Sequence, residues 1–220
     1  MSQILRIGQQ VTAASSRMEC SVREFLGGGG QGEVYRAALS DRAVALKWYL
    51  PACATPHQRS SLGFLIRTGP PTDRLLWPLE LATAANVPGF GYIMPLREPR
   101  FHGISGLMKR RIDPSFRVLT MAGFELAHSF LHLHSKGLCY RDISFGNVFL
   151  DPATGGILIC DNDNVSVDGD TAGGILGTPR FMAPEIVRGD SLPSIQTDLF
   201  SLAVLLFYLS WRSTVSICPP

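Results

Sequence analysis

Several short stretches of this chain carry residues able to handle phosphate, metal ions or protons. Leu26-Gly27-Gly28-Gly29-Gly30-Gln31-Gly32-Glu33-Val34 contains G-x-G-x-x-G followed by x-V. Glycines in such a run let backbone N–H groups approach phosphate oxygens and supply the turn between two strands. A plain flexible hairpin is the alternative reading. A dinucleotide-binding turn would need a helix to start at the glycines, whereas Glu33-Val34-Tyr35-Arg36-Ala37 reads as a strand. Val44-Ala45-Leu46-Lys47 then ends an apolar strand in a lysine, thirteen residues after Val34. Lys47 is either an edge charge or an amine that reaches under the glycine run to phosphates.

Further along, Tyr140-Arg141-Asp142-Ile143-Ser144-Phe145-Gly146-Asn147 places a carboxylate and an amide on one loop. Asp161-Asn162-Asp163-Asn164 alternates oxygen ligands as a calcium loop does, but Val165 and Ser166 fall where the next ligand and the turn glycine belong, so calcium is rejected. Asp198 lies where a helix begins, a position that favours a negative charge. His128 and His132 would share a helix face, and without a third ligand that pair reads as packing.

These residues need a scaffold. The first half of the chain favours strands at 20–26, 33–38 and 42–49, with another at 91–96. One short helix is expected near 58–66. From Phe116 to Ser135, Leu119, Ala122, Leu126, Phe130 and Leu133 recur at helical spacing, and Gly137 is placed to end that helix. Short strands are expected at 148–150 and 157–159, a long loop at 162–178, and a second apolar helix at 199–209. A strand-rich front and a helix-rich back predict an α+β fold of two lobes with a cleft between them.

Composition narrows the partners. The chain has 220 residues, 45% of them hydrophobic and 17% charged, with a net charge of +2. That charge gives no footprint for nucleic acid, and Lys109-Arg110-Arg111 is too short a run to make one. Five scattered cysteines without a C-x-x-C pair suit free thiols in a reducing compartment. The apolar stretch 199–211 falls short of the roughly 20 residues a membrane span needs. A cytoplasmic protein without a membrane span is expected; no motif points to an oligomeric state.

Taken in order, the glycine run, Val44-Ala45-Leu46-Lys47, Tyr140-Arg141-Asp142 with Asn147, Asp161, Ala183-Pro184-Glu185 and Asp198 resemble the ordered motifs of eukaryotic-type protein kinases. The resemblance covers residues 26 to about 209 and leans toward the bacterial eukaryote-like Ser/Thr kinases. It implies a domain over 20–209, with a strand-rich lobe at about 20–96 and a helical lobe at about 100–209. Residues 1–19 would be an extension and 210–220 an atypical tail. It further implies ATP and Mg2+ as cofactors and a protein as substrate. Gly27, Gly28, Gly29, Gly32, Val34 and Ala45 would line the nucleotide, with Lys47 on its phosphates. Asp142 would be the base that accepts the hydroxyl proton, Asn147 and Asp161 the metal ligands, and Asp198 a brace for the 140–147 backbone. Thr178 would line the substrate platform, and Arg141 would receive a phosphate on Thr171.

The chain departs from that family in several places. No Asp or Glu lies between Lys47 and Asp73, so the usual glutamate partner of the lysine is missing; Gln58, a serine or Glu80 are the substitutes considered. Asn162 and Asp163 replace Phe and Gly, and Ser144 stands where a lysine is usual. Apolar periodicity ends after Leu209, which predicts a truncated or frameshifted helical lobe lacking its last helices. The rivals to a protein kinase are a nucleotide-binding pseudokinase or scaffold and a small-molecule phosphotransferase.

Overall fold

The computed structural model describes residues 3–170 and 176–215, and of 211–215 the backbone alone. Thr171, Val215's successors at 216–220 and the expectations attached to them lie outside the described residues. The chain forms two compact units, residues 1–70 with 76–97 and residues 71–75 with 98–220. Strands and helices are both present, so the fold is α+β.

In the smaller unit, β1 (Gln10–Ala13), β2 (Glu19–Gly28), β3 (Gly32–Leu39) and β4 (Arg42–Tyr49) are followed by helix α1 (Pro56–Thr68), β5 (Glu80–Ala84) and β6 (Val87–Pro95). The strands close into a barrel in the order β1-β2-β3-β4-β6-β5. Its interior holds Leu5, Val11, Ala13, Cys20, Val22, Tyr35, Ala37, Val44, Leu46 and Trp48, all buried. Leu5 and strand β1, within the stretch 1–19 expected as an extension, are thus built into this unit. β1 pairs with β2 through Val11 and Cys20 and with β5 through Ala13 and Ala82. The sequence concealed this because a four-residue strand carries too little alternation to register.

Alternation gives β4 a second buried face, since successive side chains point to opposite sides. Ala45 and Tyr49 on that face pack with Phe90, Tyr92 and Met94 and with Leu62 of α1. Thr55 caps α1 by accepting from the Gln58 N–H, Pro56 occupies the first turn, and Gly69 ends the helix at φ 70°. Full burial of Leu62 contributes about 2 kcal/mol to holding α1 against the strands.

The larger unit runs through β7 (His102–Gly103), α2 (Ile104–Met108), α3 (Phe116–Ser135), β8 (Leu138–Cys139), β9 (Val148–Leu150) and β10 (Ile157–Ile159). A 3-10 turn at Asn162–Asn164, β11 (Ser166–Val167), α4 (Pro184–Arg188) and α5 (Ile195–Val215) complete it. Helix α3 spans the residues its periodicity predicts; Ser115 caps its start and Gly137 follows its end at φ 68°. It packs on α5, β8 and β10. Strand β9 is central in a three-stranded sheet between β10 and β7, and β8 pairs with β11. The expected loop at 162–178 therefore begins with a 3-10 turn and a strand. Helix α5 is longer than expected at both ends, running past Leu209 into the stretch read as a tail.

Candidate functional site

The residues expected to act in the smaller unit are set by strand register. Gly27 faces Val34 and Gly28 faces Glu33 across β2 and β3, and the Gly29 N–H bonds the Gly32 carbonyl at 2.9 Å to close the turn. A Cβ added at Gly27, Gly29 or Gly30 would meet nothing within 4 Å, so the space over this backbone is open. Gly28 is more enclosed, with the Glu33 side chain 3.5 Å from its Cβ position. Gly32 is glycine for a different reason. Its Cβ would stand 2.3 Å from the Trp48 carbonyl oxygen, and a Cβ on Gly91 would stand 2.3 Å from that of Lys47. Two glycines on the neighbouring strands thus let their backbones close on β4 where Lys47 sits.

Lys47 lies opposite Val34 in the β3–β4 ladder and is only 4% exposed. Its ammonium donates to Gln31 Oε1 at 3.2 Å and sits 5.7 Å from the centre of the Tyr49 ring. Tyr49 in turn accepts from Gln58 Nε2 at 3.0 Å. Gln58, considered above for the missing glutamate, thus meets the ring beside Lys47. The Glu80 carboxylate accepts from the Ser15 and Ser16 backbone and from the Ser16 hydroxyl at 2.9 Å, holding the β1–β2 turn. Gln31 was not singled out from sequence. Counting register from the hairpin would have found it, because Gly32 faces Tyr49 and the Leu50 N–H bonds the Gln31 carbonyl.

In the larger unit, the 140–147 loop is suspended from Asp198 at the start of α5. Asp198 Oδ2 accepts from the Tyr140 N–H at 2.5 Å and Oδ1 from the Arg141 N–H at 2.9 Å. His134 Nε2 lies 3.1 Å from Oδ2. With Asp198 1% exposed, these bonds satisfy a carboxylate that would otherwise be costly to bury. The brace expected of Asp198 is therefore present, and it helps hold Arg141 at a left-handed φ of 74°.

Both oxygens of Asp142 are engaged. Asn147 Nδ2 donates to Oδ2 at 3.0 Å and to the Asp142 carbonyl at 2.8 Å, and the Thr178 hydroxyl donates to Oδ1 at 2.7 Å. Donation by the Asn147 amide nitrogen leaves its Oδ1 as an acceptor. The Cys160 N–H bonds the Asn147 carbonyl at 2.8 Å, which places Asp161 one residue from the amide loop. Asp161 adopts a left-handed φ of 50° as the chain leaves β10. Tyr140 joins the same segments by donating its hydroxyl to the Cys160 carbonyl. Burial, then the charges of Asp161, Cys160, Asp142 and Asp163, push its phenol well above the usual value, so it remains a donor.

Asn162 is fully buried and turns its amide back to the Ile159 carbonyl at 2.9 Å. Arg141 donates to the Asp170 carbonyl at 3.1 Å and lies 3.7 Å from its carboxylate. His128 and His132 approach to 3.0 Å on the exposed face of α3, where Phe124 stacks on His128. Among the described residues, no three His, Cys, Asp or Glu side chains gather as a metal site, and no helix is long and apolar enough to cross a membrane.

Comparison with known proteins defines the class. The protein kinase domain family matches residues 108–216, and the chain belongs to that family. It is 34% identical over 199 residues to the DNA damage-responsive serine/threonine-protein kinase RqkA of Deinococcus radiodurans, covering 86% of this chain and 29% of that protein. It is 30% identical over 192 residues to serine/threonine-protein kinase PknK of Mycobacterium tuberculosis, covering 84% of this chain and 17% of that one. A shorter match of 78 residues, 40% identical, relates it to rabbit protein kinase C zeta type. The chain thus spans less than a third of the length of these relatives.

Proposed function

We propose that the chain is the kinase domain of a protein serine/threonine kinase, transferring the γ-phosphate of ATP to a hydroxyl of a protein. The observation that carries this reading is the Asp142 carboxylate, aligned by Asn147 on one oxygen and by Thr178 on the other. A hydroxyl oxygen attacks the γ-phosphorus, its proton passes to Asp142, and the bond to ADP breaks. The smaller unit is the nucleotide lobe and the larger one the catalytic lobe, within a domain of about 20–209 extended by β1.

The residues fit the nucleotide and its metal. The open space over Gly27, Gly29 and Gly30 leaves room for phosphate oxygens beside backbone N–H groups. Gly28 and Gly32 shape the same hairpin, Val34 and Ala45 belong to the apolar face assigned to the base, and Lys47 to the phosphates. Asn147 and Asp161 offer the hard oxygen donors magnesium prefers. Bound magnesium would neutralise charge on the transferring phosphate. A protein substrate suits the segment 177–185, which carries Thr178 to Asp142 and which a small-molecule substrate would not require. The four described cysteines are free thiols, in keeping with a cytoplasmic place.

A second reading, a nucleotide-binding pseudokinase or scaffold, is favoured by one observation: α1 holds no acidic residue to orient Lys47. Transfer of labelled phosphate from ATP and magnesium to a Ser/Thr peptide decides between them. Activity in the wild type that disappears in Asp142→Ala supports the kinase. Equal silence of both, with nucleotide still raising the melting temperature, transfers the case to the scaffold.

A further inference from the structure

An aromatic cluster links the 140–147 loop to the segment that carries Thr178. The Phe145 ring meets Phe181 edge-on at 4.8 Å and Tyr208 of α5 at 5.1 Å, and Phe181 and Tyr208 are 6.4 Å apart. Such edge-to-face contacts are directional, so they fix ring positions as well as burying area. Phe181 is 3% exposed, and its carbonyl accepts from the Ser201 hydroxyl of α5 at 2.7 Å. The chain doubles back between Phe181 and Thr178: the Phe181 and Met182 N–H groups bond the Thr178 carbonyl at 2.8 and 3.2 Å. One end of that turn rests on Phe145, and the other presents the hydroxyl that meets Asp142.

We infer that Phe145 is a positioning residue whose ring, set against Phe181 and Tyr208, places the Thr178 hydroxyl on the Asp142 carboxylate. Phe145 itself lies three residues after Asp142, so one short loop carries both the carboxylate and the wedge that brings Thr178 to it. Replacing the ring by a flexible aliphatic side chain removes the edge-on contacts and lets the 178–182 turn shift. Misalignment of about 1 Å at a reacting group costs up to roughly a hundredfold in rate. This inference rests on the kinase reading for its catalytic consequence, while the placement itself is a structural claim.

The test uses the full chain as wild type, Phe145→Leu, Phe145→Tyr and Tyr208→Leu. Phosphotransfer to a Ser/Thr peptide is measured alongside amide hydrogen exchange. Phe145→Leu is expected to lower kcat about tenfold or more while KM for ATP stays within about twofold, the signature of a lost transition-state alignment. Exchange at Phe181 and Met182 should quicken by a similar factor, and Phe145→Tyr, which keeps the ring, should restore both. Added to Phe145→Leu, Thr178→Val should cause little further loss, because both changes break one linkage. Should Phe145→Leu not fold, Tyr208→Leu removes a ring of the same cluster and is judged by the same criteria. Unchanged kcat, or unchanged exchange at Phe181 and Met182, overturns the inference. A silent wild type defeats the kinase reading instead, and the placement then stands or falls on the exchange data alone.

Discussion

The Thr178 hydroxyl donates to Oδ1 of Asp142 at 2.7 Å, while the other carboxylate oxygen is held by Asn147. A residue expected only to line the substrate platform is therefore in contact with the proposed base. With Asn147, its bond fixes the orientation of the carboxylate. Thr178→Val, nearly the same shape without the donor, should lower kcat by about ten- to a hundredfold and leave nucleotide binding intact. Thr178→Ser should keep most activity. Steady-state kinetics with separate ATP and peptide titrations would show the split.

Asp198, 1% exposed, holds two backbone N–H groups and lies beside His134. Asp198→Ala strands those donors, and removing one partner of a buried charged network typically costs about 3–5 kcal/mol. The urea midpoint should fall accordingly. Asp198→Asn keeps an acceptor for one N–H group and should lose less.

Glycines in one hairpin should answer differently to alanine. At Gly32 the added methyl would strike the Trp48 carbonyl, so Gly32→Ala should destabilise by about 1–3 kcal/mol through overpacking. At Gly29 there is open space, so Gly29→Ala should leave the melting temperature nearly unchanged and weaken ATP binding by crowding the phosphates. Thermal melts with and without ATP and magnesium separate the two.

The thiols should label in two classes. Burial raises Cys20 to about 11 and raises Cys139 as well, so at pH 7–8 both are protonated as well as buried. Cys53 and Cys160 are half-buried. Iodoacetamide followed by mass spectrometry should find Cys53 and Cys160 modified before Cys20 and Cys139. Cys20 should respond only as the pH climbs toward 11 or the protein unfolds.

Asp151 makes the turn after β9, accepting from the Ala153 N–H and the Thr154 hydroxyl at 2.9 Å each. The Ala153 bond chiefly, helped by Thr154 and Arg100, lowers its carboxyl below the ordinary 3.8. A depressed folded value gives stability that is present above 3.8 and is lost as pH falls through the folded value. The stability gap between wild type and Asp151→Asn should be full at pH 6 and shrink below about pH 4. Denaturant melts across that range would show it.

Much of this was legible in the sequence because local signals and tertiary needs agree. Helix α3 has a serine cap, a long apolar stripe and Gly137, and it forms over the predicted residues. The brace from Asp198 was legible too, since a carboxylate at a helix start has few other uses in such a motif order. What stayed hidden depends on register and non-local contact. Gln31 beside Lys47 follows from the β3–β4 ladder, not from any local pattern. Thr178 meets Asp142 across 36 residues of chain, and the Phe145 cluster joins three separate segments. Strand β1 was missed because only its pairing partners, distant in sequence, make four residues a strand.

Closure of the β1–β6 ring has a further consequence for recruitment. Every strand in it has a hydrogen-bonded neighbour on both sides along part of its length, which shortens the rows of N–H and C=O groups left to template another chain. Along those doubly paired stretches, capture of an extended peptide by sheet augmentation is disfavoured, and so is stacking with copies of itself. A partner docking there would read turns or helix α1 instead.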